Sequence, residues 1–275
     1  MKSRAKPWMI AISVFGVIAL ACVYWWDPKP EYRSAPNAAA AKIDSDELAR
    51  AAGARVFFGH RSVGKDILAG VEKVFDARNA TPPALLEFTV GETVPAPLDR
   101  GTILHAAIGR NGRPEEKLAN FDSALRRGIA SEVDVALLKF CYVDITADTD
   151  VDALFSAYQE TLTALERDFP EVIFVHSTAP LTTGPAGLKD RVKILLGGDD
   201  NATRNRYNDL IRQAYDDGRL FDLAAVEATG PSGDRVGSLH EGYTSDGAHL
   251  NDSGSSLVAV EFLRVIAANA SKTTK

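Results

Sequence analysis

The stretch VFFGHRSVGKDILAGVEKVFDA, residues 56–77, decides how this chain folds. Val56, Phe57 and Phe58 make a short apolar run that stops at Gly59. From residue 63 to 77 the spacing changes, and Ile67, Leu68, Val71 and Val74 recur on one side of a helix. The residues between, GHRSVGKD (59–66), form a tight turn from strand into helix.

Further along, the same alternation repeats. ALLEFTV (84–90) and TILHAAIG (102–109) read as strands, and PEEKLANFDSALRRGIA (114–130) as a helix with Pro and two Glu in its first turn. VDVALLKF (133–140) is an apolar strand, DALFSAYQETLTALERDF (152–169) a helix stopped by Pro170, and EVIFVHST (171–178) a strand. Residues 202–217 have helical spacing, RLFDLAAV (219–226) reads as a strand, and 253–269 form the last helix. Segment 179–200 is expected to be a long loop that shapes a substrate site. Alternating strands and helices with continuous Val/Ile/Leu runs predict an α/β fold, a parallel sheet of about five strands covered on both faces. Sites on such sheets lie at the C-terminal ends of strands.

Composition narrows the function. The chain has 275 residues and a net charge of −6, with Lys2, Arg4 and Lys6 at the very start. The remainder is therefore acidic, which excludes a nucleic-acid partner because phosphate binding needs a basic face. Two cysteines, Cys22 and Cys141, leave no Cys-based metal site, and no HExxH-like pattern is present, so no metal or cofactor is called for.

The N-terminus carries an address. Residues 8–26 hold no charge, are long enough to cross a bilayer, and have Trp8 at one end and Tyr24, Trp25 and Trp26 at the other. The basic start places the rest of the chain outside the cytoplasm, anchored at the cell envelope. Cleavage after Ala19-Leu20-Ala21, giving a periplasmic or secreted form, and lipidation at Cys22 after a poor lipobox are the competing readings. The organisation is then an anchor or signal at 1–26, a Pro/Ala-rich linker at 27–42, a domain at 43–270 and a tail at 271–275.

Two segments carry the chemistry. Ser62 sits on the first strand-to-helix turn, where N–H groups can hold an oxyanion, although Ser there also serves as an ordinary N-cap. YTSDGAHLNDSG (243–254) precedes the last helix, and Asp246 can orient His249 as a base. The competing reading of that segment is a turn, with Asn251 or Asp252 capping the helix. Gly59, Gly64 and Lys65 also fit a phosphate-binding loop, but Asp66 stands where a Mg²⁺-binding Ser or Thr belongs. His60-Arg61-Ser62-Val63-Gly64 nearly matches the G-x-S-x-G elbow, whose fold needs several strands before it, for which there is no room. His105 and His176 fall in strands and read as buried, His240 as solvated. Asp144, Asp148 and Asp150 lack calcium-loop spacing and read as solvated or as a helix cap.

Taken together, Ser62, Asp246 and His249 resemble the SGNH (GDSL-type) hydrolase superfamily over residues 55–269. Asp246-Gly247-Ala248-His249 matches that family's Asp-x-x-His block. The resemblance implies a flavodoxin-like three-layer sandwich and ester hydrolysis through an acyl-enzyme. It makes Ser62 the nucleophile, His249 the base and Asp246 its orienter, with oxyanion donors at the Ser62 and Gly109 N–H groups. The departures are specific. His60 stands where the first block has Asp, and Cys141-Tyr142-Val143-Asp144 lacks the Gly and Asn of the third block. Asn111 is the nearest substitute donor in sequence. The expectation is an exported serine esterase acting on an acylated envelope polysaccharide or another extracellular ester. The alternative is a non-catalytic binding domain on the same fold.

Overall fold

The computed structural model describes residue 32, residue 35 and residues 42–185, 187–215 and 218–270. The sequence-predicted anchor at 8–26, most of the linker and the 271–275 tail lie outside the described residues. Among the described residues, no helix is long and apolar enough to cross a membrane. The described residues divide into two units, one within 32–184 and 199–270, the other within 185–198.

In the larger unit α1 (Ser45–Ala52) leads into β1 (Arg55–His60), α2 (Val63–Asp76), β2 (Ala84–Phe88), β3 (Thr102–Ala107), α3 (Pro114–Arg126), β4 (Val135–Leu138), α4 (Val151–Asp168) and β5 (Ile173–Ser177). The smaller unit contributes α5 (Leu188–Leu195), described by itself. The larger unit then continues through α6 (Asp200–Ala214), β6 (Leu220–Phe221), α7 (Leu223–Ala228) and α8 (Asp252–Ala270). Helix starts follow capping chemistry. Asp44 makes a capping box with Glu47, Asp150, Asp199 and Asp222 cap α4, α6 and α7, and Asn251 accepts the Ser253 and Gly254 N–H groups at the start of α8.

The sheet is wholly parallel, in the order β2-β3-β1-β4-β5-β6. It has six strands where the sequence suggested about five. Without β2, which adds itself beyond β3 as an edge strand, the order is the flavodoxin-like one with β1 near the centre. Two further expectations change. RLFDLAAV is a strand only at Leu220–Phe221, because Asp222 caps a helix that begins at Leu223. The 179–200 segment is not one loop, because residues 188–195 are helix-compatible and bounded by Gly187 and Gly197.

Strand alternation divides the core in two. Val56 and Phe58 of β1, with Ile103, Val135 and Val175, face α1, α2 and α8. Phe57, with Leu104, Ala136 and Phe174, faces α3, α4 and α6. α8 is buried over much of its circumference, so it reads as apolar all round rather than amphipathic. Its approach to α2 is close: a Cβ on Gly70 would lie 2.2 Å from the Ser255 carbonyl oxygen. Gly70→Ala therefore requires the helices to part, and it should lower stability by about 1–3 kcal/mol, as overpacking does. Urea unfolding of the variant against the native chain measures this.

Candidate active site

The turn after β1 holds Ser62 in an unusual conformation, φ 50° and ψ −110°. A non-glycine residue there carries strain, of order 1–3 kcal/mol. Ser62 stands at the N-cap position of α2, yet its side chain makes no capping hydrogen bond. Its Oγ instead lies 2.6 Å from Nε2 of His249. Nδ1 of His249 lies 2.7 Å from Oδ2 of Asp246.

The 243–251 loop fixes this arrangement. Asp246 Oδ1 accepts the backbone N–H groups of Ala248 at 2.9 Å and His249 at 2.7 Å. Burial alone raises the Asp246 pKa, but those donors and the imidazole outweigh it and hold the carboxyl at about 2. Asp246 is therefore an anion across the working pH range and binds the His249 Nδ1–H tautomer, leaving Nε2 to accept from Ser62. The Thr244 hydroxyl donates to the His249 carbonyl at 2.6 Å. Asp66, in the first turn of α2, accepts the Leu250 N–H at 3.1 Å and so ties this loop to the helix that begins behind Ser62. The Tyr142 ring stands edge-on to His249, with centroids 5.8 Å apart. Asp246 and His249 side chains are 52% and 41% exposed, so the site is open.

The candidate oxyanion donors fare differently. No hydrogen bond occupies the Ser62 N–H among the described residues. The Gly109 N–H, by contrast, already donates to Asn120 Oδ1 at 3.0 Å, a partner two turns into α3 that sequence spacing does not reveal. Asn111 Oδ1 accepts from the Lys117 ammonium at 3.2 Å, and since an ammonium cannot accept, the amide N–H₂ must point away from it. Val143, at the third block's Asn position, has no donor side chain.

Sequence comparison finds no matching family model and no matching curated protein. Solved structures similar to this chain include one described as a platelet activating factor from Streptococcus pneumonia (16% identity, 79% of this chain and 89% of that one, TM-score 0.46). Another is assigned to the SGNH hydrolases, from Slackia heliotrinireducens (15%, 77% and 97%, TM-score 0.45). A third is a carbohydrate esterase family 3 protein from Talaromyces cellulolyticus (12%, 76% and 94%, TM-score 0.43). The structural neighbours are SGNH and GDSL-type proteins. With these TM-scores below 0.5, the functional reading rests on the chemistry of the site.

Several groups singled out in the sequence have other duties. His60 is buried, and burial, ahead of the Lys139, His105, Lys65 and Arg61 charges, drives its pKa down to about 2. The ring is neutral, with Nε2 3.3 Å from His105 Nδ1. Asp66 faces the Leu250 N–H rather than a phosphate. Asp144 is not solvated: it is buried, paired with buried Lys117, and accepts from the Gly112 N–H at 2.8 Å and the Cys141 N–H. Asp150 caps α4. His240 is not simply solvated either, since its Nδ1 accepts the Gly242 N–H at 3.0 Å. Lys139 is wholly buried, its Nζ donating to the Phe140 carbonyl at 3.0 Å, and burial lowers its pKa.

Glu227 is buried with these charges. Its Oε2 accepts the Leu181 N–H at 2.7 Å, and its Oε1 has no partner among the described residues. Burial, against the pull of the Leu181 N–H, Lys139 and Arg204, pushes its pKa up to about 8 from an ordinary 4.5. The folded state therefore keeps a proton that the unfolded chain releases above pH 4.5, so this residue favours folding below that pH and its contribution is lost as pH rises through about 8. Glu227→Gln keeps an acceptor for Leu181 and removes the titration. Denaturant midpoints of variant and native chain should differ least at pH 5 and separate at pH 8, with the variant the more stable. An equal gap at both pH values would mean that the carboxyl is ionised throughout.

Proposed function

We propose that this chain is an exported serine esterase. The observation that carries the reading is the Ser62 hydroxyl 2.6 Å from His249 Nε2, in place of a helix cap. Ser62 Oγ attacks the ester carbonyl while His249 Nε2 takes its proton. The tetrahedral intermediate collapses as that proton passes to the leaving alcohol. Water, activated by the same nitrogen, then releases the acid and restores Ser62. Asp246 holds the tautomer and stabilises the imidazolium. The Ser62 N–H and the Asn111 amide are the oxyanion donors this reading favours. Gly109 N–H serves only if it leaves Asn120.

The open site fits an acyl group on a large envelope polysaccharide. The basic start and the aromatic-flanked apolar run at 8–26 support export on a membrane anchor. The occupied Gly109 N–H favours one other reading, a binding domain without catalysis.

A fluorophosphonate probe decides between them. It should label the native chain at Ser62 and leave Ser62→Ala unlabelled and inactive. Absence of labelling in the folded native chain favours the binding domain. Ser62→Gly should likewise lose labelling while unfolding at least as high in denaturant as Ser62→Ala, because glycine tolerates the positive φ without strain. For localisation, protease added to intact spheroplasts should digest the domain. Full protection contradicts export.

A further inference from the structure

A cation beside the nucleophile has no part in the steps above. Arg61 directly precedes Ser62 and is half-buried. Its Nε donates to the Ile108 carbonyl at 3.3 Å, while the Ile108 N–H donates to the His60 carbonyl at 3.2 Å. The guanidinium is thus pinned over the seam between β1 and β3, at the C-terminal edge where Ser62 emerges. Among the described residues it has no carboxylate partner, unlike Arg55, which pairs with Asp134, or Arg212, which pairs with Asp222. Among the described residues, no hydrogen bond engages its two Nη groups.

The loop that leaves β3 carries two more arginines, balanced by Glu115 and Glu116 at the start of α3. Arg110 and Arg113 are both well exposed and share one carboxylate, that of Glu116. Among the described residues, Glu115 on the same helical turn pairs with none of the three arginines. The other side of Ser62 is built differently, from His249, anionic Asp246 and the Tyr142 ring. Beside Ser62 the cation is therefore the Arg61 guanidinium, on the β3 side.

The chain as a whole is acidic and repels anions at long range. At physiological ionic strength that field is screened over about 8 Å, so close to Ser62 the neighbouring charges decide. A guanidinium tethered at Nε and open at both Nη atoms presents a planar fork that suits a carboxylate.

Resting on the esterase reading, we infer that the substrate carries a carboxylate near the scissile ester, and that Arg61 recognises it. An acylated sugar acid within an acidic polysaccharide has this chemistry. Arg61 is then a specificity-determining residue on the β3 side of the nucleophile.

The test compares hydrolysis of phenyl acetate with that of 3- and 4-acetoxybenzoate, whose carboxylates lie at two distances from the ester. The native chain should prefer an acetoxybenzoate, with a preference that shrinks as salt is raised. Arg61→Met should lower the ratio of kcat/KM for acetoxybenzoate over phenyl acetate about tenfold, mostly through KM, and Arg61→Lys should fall between. A ratio within one preparation does not depend on the fraction folded. If the native chain hydrolyses these esters through Ser62 but Arg61→Met leaves the ratio unchanged, this inference is overturned and the esterase reading stands. If the native chain neither hydrolyses any ester nor labels at Ser62, the esterase reading falls and takes this inference with it.

Discussion

The packing of α2 against α8 governs the geometry at Ser62. Their backbones approach so closely that nothing larger than Gly70 fits opposite Ser255. Ile67, Val71 and Val74 of α2 share a core with Val258, Ala259 and Phe262 of α8. Each such buried side chain contributes roughly 1.5–3 kcal/mol. The Lys73–Asp252 ion pair joins the same helices at the surface, where such pairs contribute about 0–1 kcal/mol. Apolar contact, not the ion pair, holds the two helices in register. Ser62 stands at the start of one and His249 just before the other, and the Asp66–Leu250 hydrogen bond closes the gap between them.

This rigidity supports two costly features. Ser62 keeps a backbone conformation that serine rarely adopts, which a loosely packed turn would relax. The interior also holds Lys117 with Asp144, Lys139, Glu227 and neutral His60. A buried ion pair adds little net stability over an apolar substitute, but loss of one partner leaves a stranded charge. In this protein the Lys117–Asp144 pair has a positional result: Asp144 also gathers the Gly112 and Cys141 N–H groups, so the loops after β3 and β4 are held together at the sheet edge.

The sequence made the framework legible because strand and helix periods are local. Val56–Phe58, Val135–Leu138 and the Ile67–Val74 stripe need no knowledge of distant residues. β6 was overread because LFDLAAV suits either period, and the deciding signal was a single capping Asp222. Ser62 could not be separated from an ordinary cap by sequence, since its φ and its partner 187 positions away are tertiary facts. Asp144 looked solvated for the same reason, its Lys117 partner lying on another helix. Asn120 engaging Gly109 gave no signal at all, and Asp66 was visible only as a misfit in a phosphate loop. Arg61 stood in plain view within the motif, but its lack of a counter-charge is a property of the folded surface.

The dependence of Ser62 on α8 also bears on the order in which the chain is made. Ser62, its turn and its helix are complete within the first third of the sequence, whereas the imidazole that meets it and the helix that clamps it come in the last tenth. A growing or truncated chain thus carries an unpaired serine on an unclamped helix, and the pairing forms only once the C-terminus arrives. The Ser62–His249 contact is thus a property of the finished domain, joined across 187 positions and not available to its N-terminal part alone.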